Sequence, residues 1–86
     1  MPTGLVSSDE WELINDELNL SGRESEVIQG VFDQLSRKQI AERMGLKERT
    51  VRQYLENIHI KLNVNTRIGV VLRVIQIRDT LQEKVK

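Results

Sequence analysis

Apolar residues recur three and four positions apart through most of this chain, and that spacing places them on one face of an α-helix. Pro2 is the only proline, and the aromatic content of 3 % disfavours a β-sandwich or barrel. The sequence therefore predicts an all-α fold. The clearest run spans a sector of about 60° around the helix axis and consists of Val51, Leu55, Ile58 and Leu62.

Serine residues mark the starts of three predicted helices. Ser7 with Glu10, and Ser21 with Glu24, have the spacing of a capping box, and Ser36 is a favourable N-cap residue. The first of these helices is short and acidic. The inward faces are expected to carry, in order, Trp11, Ile14 and Leu18, then Val27, Ile28, Val31, Phe32 and Leu35, and then Ile40, Ala41 and Met44.

Two further helices are predicted toward the end of the chain. The fourth extends from about residue 47 to Leu62, and Asn63 suits the left-handed conformation that ends such a helix. The last, about 66–82, has two apolar stripes, more than a helix packed on one face needs, and its β-branched residues leave a strand as the alternative. One stripe is Ile68, Val71, Leu72 and Ile75, and the other is Val70, Val74, Ile77 and Leu81.

The net charge of zero argues at first against a partner that is a polyanion. The charges are unevenly distributed, however. Residues 1–26 contain seven acidic residues and one basic residue, whereas residues 37–67 contain eight basic and three acidic residues. Such asymmetry is typical of a polyanion-binding segment beside an acidic one.

Several function classes lack the residues that they require. The chain has no cysteine, one histidine (His59) and no glycine-rich phosphate loop, so we expect no metal, no cofactor and no enzyme activity. The beginning of the chain has neither a basic segment nor an apolar one, and the longest apolar run is Val70 to Leu72. These features predict a soluble cytoplasmic protein without a membrane partner.

Two short helices joined at Gly45 predict a helix-turn-helix over residues 36–62. One side of its second helix, about 47–62, is apolar and anchors it, while the other side presents donors and acceptors to the major groove of DNA. Arginine suits guanine, glutamine suits adenine, and glutamate accepts from cytosine N4. The predicted base contacts are Arg49, Arg52, Gln53 and Glu56.

Further polar residues of this region are suited to phosphate oxygens, which position the protein without carrying sequence information. The predicted phosphate contacts are Ser36, Arg37, Lys38, Lys47, Thr50, Tyr54, Asn57, Lys61 and Arg67.

The chain resembles the LuxR/GerE helix-turn-helix domain from about Leu20 to Ile77. The resemblance is carried by LSGRESEVI from Leu20, LSRKQIAERMGL from Leu35, TVR from Thr50 and KLNV from Lys61. It implies a four-helix DNA-binding domain of a bacterial transcription regulator, here preceded by an extra short acidic helix. It also implies a homodimer through the terminal helix, with a predicted interface of Val70, Val74, Ile77 and Leu81. The alternative for this stripe is packing against Trp11, Ile14 and Leu18 of the same chain.

Five residues depart from the pattern of that family. Tyr54 replaces a common histidine, and Asn63 replaces a customary glycine. Glu56 stands where many members have a basic residue, Lys47 replaces the usual Ser or Asp cap, and Gln34 replaces a customary glycine. Gln34 is expected to be strained if the turn is kept, because a side chain disfavours positive φ.

The expected organisation is an acidic extension over residues 1–19, the DNA-binding domain over 20–79 and a charged tail over 80–86. The predicted function is sequence-specific binding of double-stranded DNA in regulation of transcription. The alternative is a helical module that binds another regulator or RNA polymerase, with weak or no DNA binding. A further hypothesis is a domain similar to the promoter-binding end of a sigma factor. The acidic first helix is also hypothesised to fold over the basic helices and mask them.

Overall fold

The computed structural model describes residues 6–85, which form five helices joined by turns. This confirms the all-α fold with an additional N-terminal helix, and the strand alternative for the last segment is wrong. The helices are α1 (Ser8–Leu18), α2 (Gly22–Phe32), α3 (Arg37–Met44), α4 (Glu48–Leu62) and α5 (Arg67–Val85).

Capping boxes start the first three helices. The hydroxyls of Ser7, Ser21 and Ser36 accept hydrogen bonds from the backbone N–H three residues later, at 3.2, 3.1 and 3.2 Å. In return, the side chain of that third residue accepts from the serine N–H at 2.9 Å in each box. Helix α4 starts at Lys47 without a side-chain cap. The local sequence thus fixes where these helices begin.

Left-handed residues end the helices. Asn19, Gly45 and Asn63 have φ values of 54°, 67° and 57°, which Asn and Gly tolerate. Gln34 follows α2 with φ of 61°, so the turn of the family is kept without its glycine. For a residue such as glutamine this conformation costs about 1–2 kcal/mol.

Helix α5 closes the core. It packs against α1, α2 and α4 of its own chain. Val70 and Val74 are fully buried there, Ile77 is buried, and Leu81 packs partly against the same core. The prediction that these four residues form a dimer interface is therefore wrong, because their side chains are already covered within one chain.

The other stripe of α5 faces solvent. Ile68 is 72 % exposed and Leu72 is 55 % exposed, while Val71 and Ile75 are half-buried. Helix α5 also continues through residues 80–85, where a charged tail was expected; Lys86 lies outside the described residues. Within residues 6–85, no helix has both the length and the hydropathy that crossing a bilayer requires.

The N-terminal helix packs on α5 and does not mask the basic helices as hypothesised. Trp11 is buried and meets Phe32 edge to face, with ring centroids 5.3 Å apart. Gln82 of α5 donates a hydrogen bond to Glu10 of α1. Val6, just before α1, is also buried in the core. Helix α1 therefore covers one side of α5 and leaves the exposed face of α4 open.

Helices α2 and α3 approach closely at Gly30. A methyl group added there would lie 2.7 Å from Cγ1 of Ile40 and 3.1 Å from its Cδ1. Ile40 is itself buried, so its side chain has no room to withdraw. The absence of a side chain at residue 30 thus sets how near the two helices pack.

We expect Gly30→Ala to destabilise the protein. Alanine improves helix propensity by about 1 kcal/mol, but overpacking a filled core costs about 1–3 kcal/mol. A net loss of about 1 kcal/mol in the free energy of unfolding follows. Gly22→Ala is the matched control, because its methyl group would meet open space. Urea denaturation measures both variants, and a Gly30→Ala protein as stable as the wild type would contradict the close approach.

Candidate nucleic-acid interface

Helix α4 has one buried side and one exposed side. Val51, Ile58 and Leu62 are essentially fully buried, and Leu55 is buried as well. Helix α3 packs on α4 across the turn at Gly45, where φ is positive. The segment over residues 36–62 is therefore a helix-turn-helix, and its second helix is held rigidly with one side to solvent.

The four residues predicted to contact bases lie together on this exposed side. They line one shallow depression of about 230 Å³: Arg49, Arg52, Gln53 and Glu56. Nε of Arg52 lies 3.6 Å from Oε1 of Glu56, one helical turn further on. Opposite charges four residues apart on a helix indicate such an ion pair. Both residues were predicted from the sequence to contact bases, and their pairing with each other was not predicted.

A second depression of about 210 Å³ adjoins the first and shares Gln53 with it. Its other lining residues, Thr50, Tyr54 and Asn57, were all predicted to contact phosphates. Thr50 and Tyr54 are half-buried, and Tyr54 packs partly on the core, so that its ring is fixed beside the exposed side of α4.

Basic side chains of α3 and of the start of α4 are exposed. Among the described residues, no acidic side chain lies within ion-pair distance of Arg37, Lys38, Lys47 or Arg49. Ser36 uses its oxygen as the acceptor of its capping box, which leaves its O–H as a donor. These groups are available to an anion.

Two predicted phosphate contacts are engaged inside the protein. The ammonium of Lys61 lies 2.7 Å from Oε1 of Glu24 and 3.0 Å from the carbonyl oxygen of Asn19. The guanidinium of Arg67 donates to the carbonyl oxygen of Leu35. Lys61 thus connects α4 with α2, and Arg67 connects α5 with the turn after α2. Because internal acceptors engage both cations, we leave them out of the proposed phosphate contacts.

Arg43 is a third cation with an internal partner. Its Nη1 and Nη2 lie 2.9 and 2.8 Å from Oδ2 of Asp33. This pair connects the end of α2 with α3. Arg43 therefore has a partner within the protein, although it lies in the basic segment of residues 37–67.

An exposed isoleucine extends the solvent-facing side of α4. Ile60 is 78 % exposed and follows Glu56 by one helical turn. The helical spacing places Ile60 on the side opposite Val51. Ile60 was not among the predicted DNA contacts, because those were chosen for polar side chains.

These features define a helix-turn-helix domain with an exposed polar recognition helix. The family model described as "Bacterial regulatory proteins, luxR family" matches residues 18–74, which confirms the resemblance found in the sequence. The chain belongs to this family, which is one of DNA-binding transcription regulators and not of enzymes.

A curated relative points the same way. The protein named "Probable transcriptional regulator ycf29" of Guillardia theta is 38 % identical to this chain over 53 residues. The match covers 62 % of this chain and 26 % of that protein. No solved structure matches the chain significantly.

Glu24 is the buried acid of this region. Burial acts to raise the pKa of its carboxyl group, but the hydrogen bonds and charge of Lys61, together with the N–H of Ser21, outweigh burial and lower the pKa below its ordinary value of 4.5. The ionised form is therefore more stable in the folded protein than in the unfolded chain.

The sign of this shift predicts a pH dependence of folding. The stabilisation from Glu24 is complete above its unfolded pKa of about 4.5 and is lost as the pH falls through the lower folded value. We expect Lys61→Met to lower the free energy of unfolding at pH 7 by about 1–3 kcal/mol, because a buried carboxylate loses its partner. That difference should shrink as the pH falls through the lowered folded pKa of Glu24, because protonation removes the charge of the carboxylate.

Urea denaturation at several pH values tests this prediction. Lys38→Met serves as the control, since Lys38 is exposed and no acidic side chain of the described residues pairs with it. If Lys61→Met matched the wild type at pH 7, the ion pair would contribute nothing to folding.

Proposed function

We propose that this chain binds double-stranded DNA sequence-specifically in the regulation of transcription, with α4 in the major groove. The observation that carries the proposal is the exposed side of α4, where four polar side chains line one depression on a helix anchored by its other side. A helix about 10–12 Å in diameter fits a groove about 12 Å wide. Membership of the family and the name of the relative support the same function.

The side chains on α4 suit base edges. Arg49 and Arg52 present donors to guanine, Gln53 pairs with adenine, and Glu56 accepts from cytosine N4. Phosphate contacts position the helix and come from residues around its start and along its flank. They are assigned to Ser36, Arg37, Lys38, Lys47, Thr50, Tyr54 and Asn57.

A second copy of the chain completes the proposed assembly. One short helix contacts few base pairs, and helix-turn-helix proteins commonly double their contacts on two half-sites. The exposed apolar stripe of α5 supplies a surface for this purpose, because Ile68 and Leu72 are more than half exposed beside half-buried Val71 and Ile75. Association of two copies through this stripe removes apolar area from water.

A helical module that binds another regulator or RNA polymerase is the second candidate function. The same apolar stripe and the net charge of zero favour it. A mobility-shift assay on random duplex at low salt separates the two functions. Retention of the duplex at micromolar protein supports DNA binding, and its absence supports the protein partner.

Base and phosphate contacts respond differently to substitution. We expect Arg52→Ala to weaken binding to the preferred site by about 1–3 kcal/mol and to relax sequence preference, because a base contact is lost. Lys38→Ala should weaken all duplexes alike and reduce the salt dependence by about one unit of slope. Fluorescence anisotropy at several salt concentrations measures both variants. Equal losses on specific and random DNA for Arg52→Ala would contradict the assignment of Arg52 to a base.

The dimer surface has its own test. We expect the double substitution of Ile68→Ser and Leu72→Ser to abolish self-association, since it removes the exposed apolar stripe. Binding to a duplex with two half-sites should fall at least tenfold, while binding to a single half-site is retained. Leu13→Ser is the control, because Leu13 is 47 % exposed on α1, away from this stripe. Sedimentation velocity measures the association, and an unchanged monomer–dimer equilibrium would refute this surface.

A further inference from the structure

Arg52 and Glu56 stand out because they place opposite charges side by side on the surface proposed to approach DNA. Their side chains are 66 % and 62 % exposed, and Nε and Oε1 lie 3.6 Å apart. An exposed ion pair with a spacing of four stabilises a helix only slightly. Folding therefore does not explain why an acidic side chain lines the depression on α4.

The order of hydrogen-bonding groups in one base pair matches this ion pair. Across the major groove, a G·C pair presents guanine N7 and O6 as acceptors and then cytosine N4 as a donor. The guanidinium of Arg52 offers two parallel donors, and the carboxylate of Glu56 beside it offers only acceptors. We propose that Arg52 and Glu56 act as one unit that recognises a single G·C base pair, with Arg52 on the guanine and Glu56 on the cytosine.

The other base pairs fit this unit less well. An A·T pair presents an acceptor, a donor and then another acceptor, so that Arg52 finds one acceptor instead of two and Glu56 meets thymine O4. In a C·G pair, the order is reversed. Arg52 then faces the N4 donor of cytosine, and Glu56 faces the acceptors of guanine. On a G·C base pair, Arg52 and Glu56 keep their ion pair while each also bonds a base. Neither charge is then left without a partner when water is excluded.

This inference rests on the proposed function and adds a second effect of Glu56. Away from its preferred base pair, the carboxylate faces phosphates and acceptor atoms without a donor, so Glu56 weakens binding to random DNA. Glu56→Met keeps the length of the side chain and removes the charge together with the acceptor oxygens. We therefore expect the variant to bind random duplex more tightly and to lose about tenfold of its preference for G·C over A·T at one position.

The experiment begins with selection of binding sites from random double-stranded DNA by the wild-type chain. Dissociation constants are then measured for the wild type and for Glu56→Met on the selected site and on its variants at each position. Glu12→Met is the matched control, since it makes the same change on the exposed side of α1. A further duplex replaces the recognised cytosine by an analogue without the N4 amine.

Three results separate the possibilities. An invariant G·C pair whose cytosine analogue weakens the wild type about tenfold, but not Glu56→Met, supports recognition by the pair. Sites without such a G·C pair, or equal losses for both proteins on the analogue, overturn this inference and leave the proposed function intact. No binding of the wild type to any duplex at low salt overturns the proposed function itself, and this inference with it.

Discussion

The buried carboxylate of Glu24 connects the start of α2 with the end of α4 and, through Lys61, with the end of α1. It accepts from the N–H of Ser21 at 2.9 Å and so starts α2, and it accepts from Lys61 at 2.7 Å near the end of α4. Lys61 also donates to the carbonyl oxygen of Asn19, which ends α1. A carboxylate this deeply buried is stable only with these partners, so the position of α4 is coupled to the cap of α2.

Helix α2 therefore orients both helices of the helix-turn-helix. At one end its cap holds α4 through Glu24, and at the other end Asp33 holds α3 through Arg43. Between these two points, Gly30 lets α2 approach Ile40 of α3. The exposed side of α4 is consequently presented by a scaffold fixed at three places, which limits the reorganisation that binding requires.

The starts of helices and their apolar faces could be predicted because they depend on residues close together in the sequence. Each capping box spans three positions, and each buried face repeats within four. The partners of Lys61 and Arg67 could not be predicted, because they lie 37 and 32 residues away. Nor does periodicity decide which stripe of α5 is buried, since the choice depends on where α1 packs. The continuation of α5 through residues 80–85 was also missed; there Gln82 donates a hydrogen bond to Glu10, 72 residues away in the sequence.

The basic segment provides fewer charges for DNA than its sequence suggests. Within the described residues, Arg43, Lys61 and Arg67 are engaged by internal acceptors, and Arg52 is paired with Glu56. The cations left without a partner there are Arg37, Lys38, Lys47 and Arg49. With Arg49 on a base and one phosphate neutralised by each of Arg37, Lys38 and Lys47, the logarithm of the affinity would fall by roughly 2.7 per tenfold increase in salt for one copy. Because so few charges attract DNA of any sequence, we infer that useful affinity comes from base contacts and from a second copy. The proposed function then depends on both the exposed side of α4 and the apolar stripe of α5.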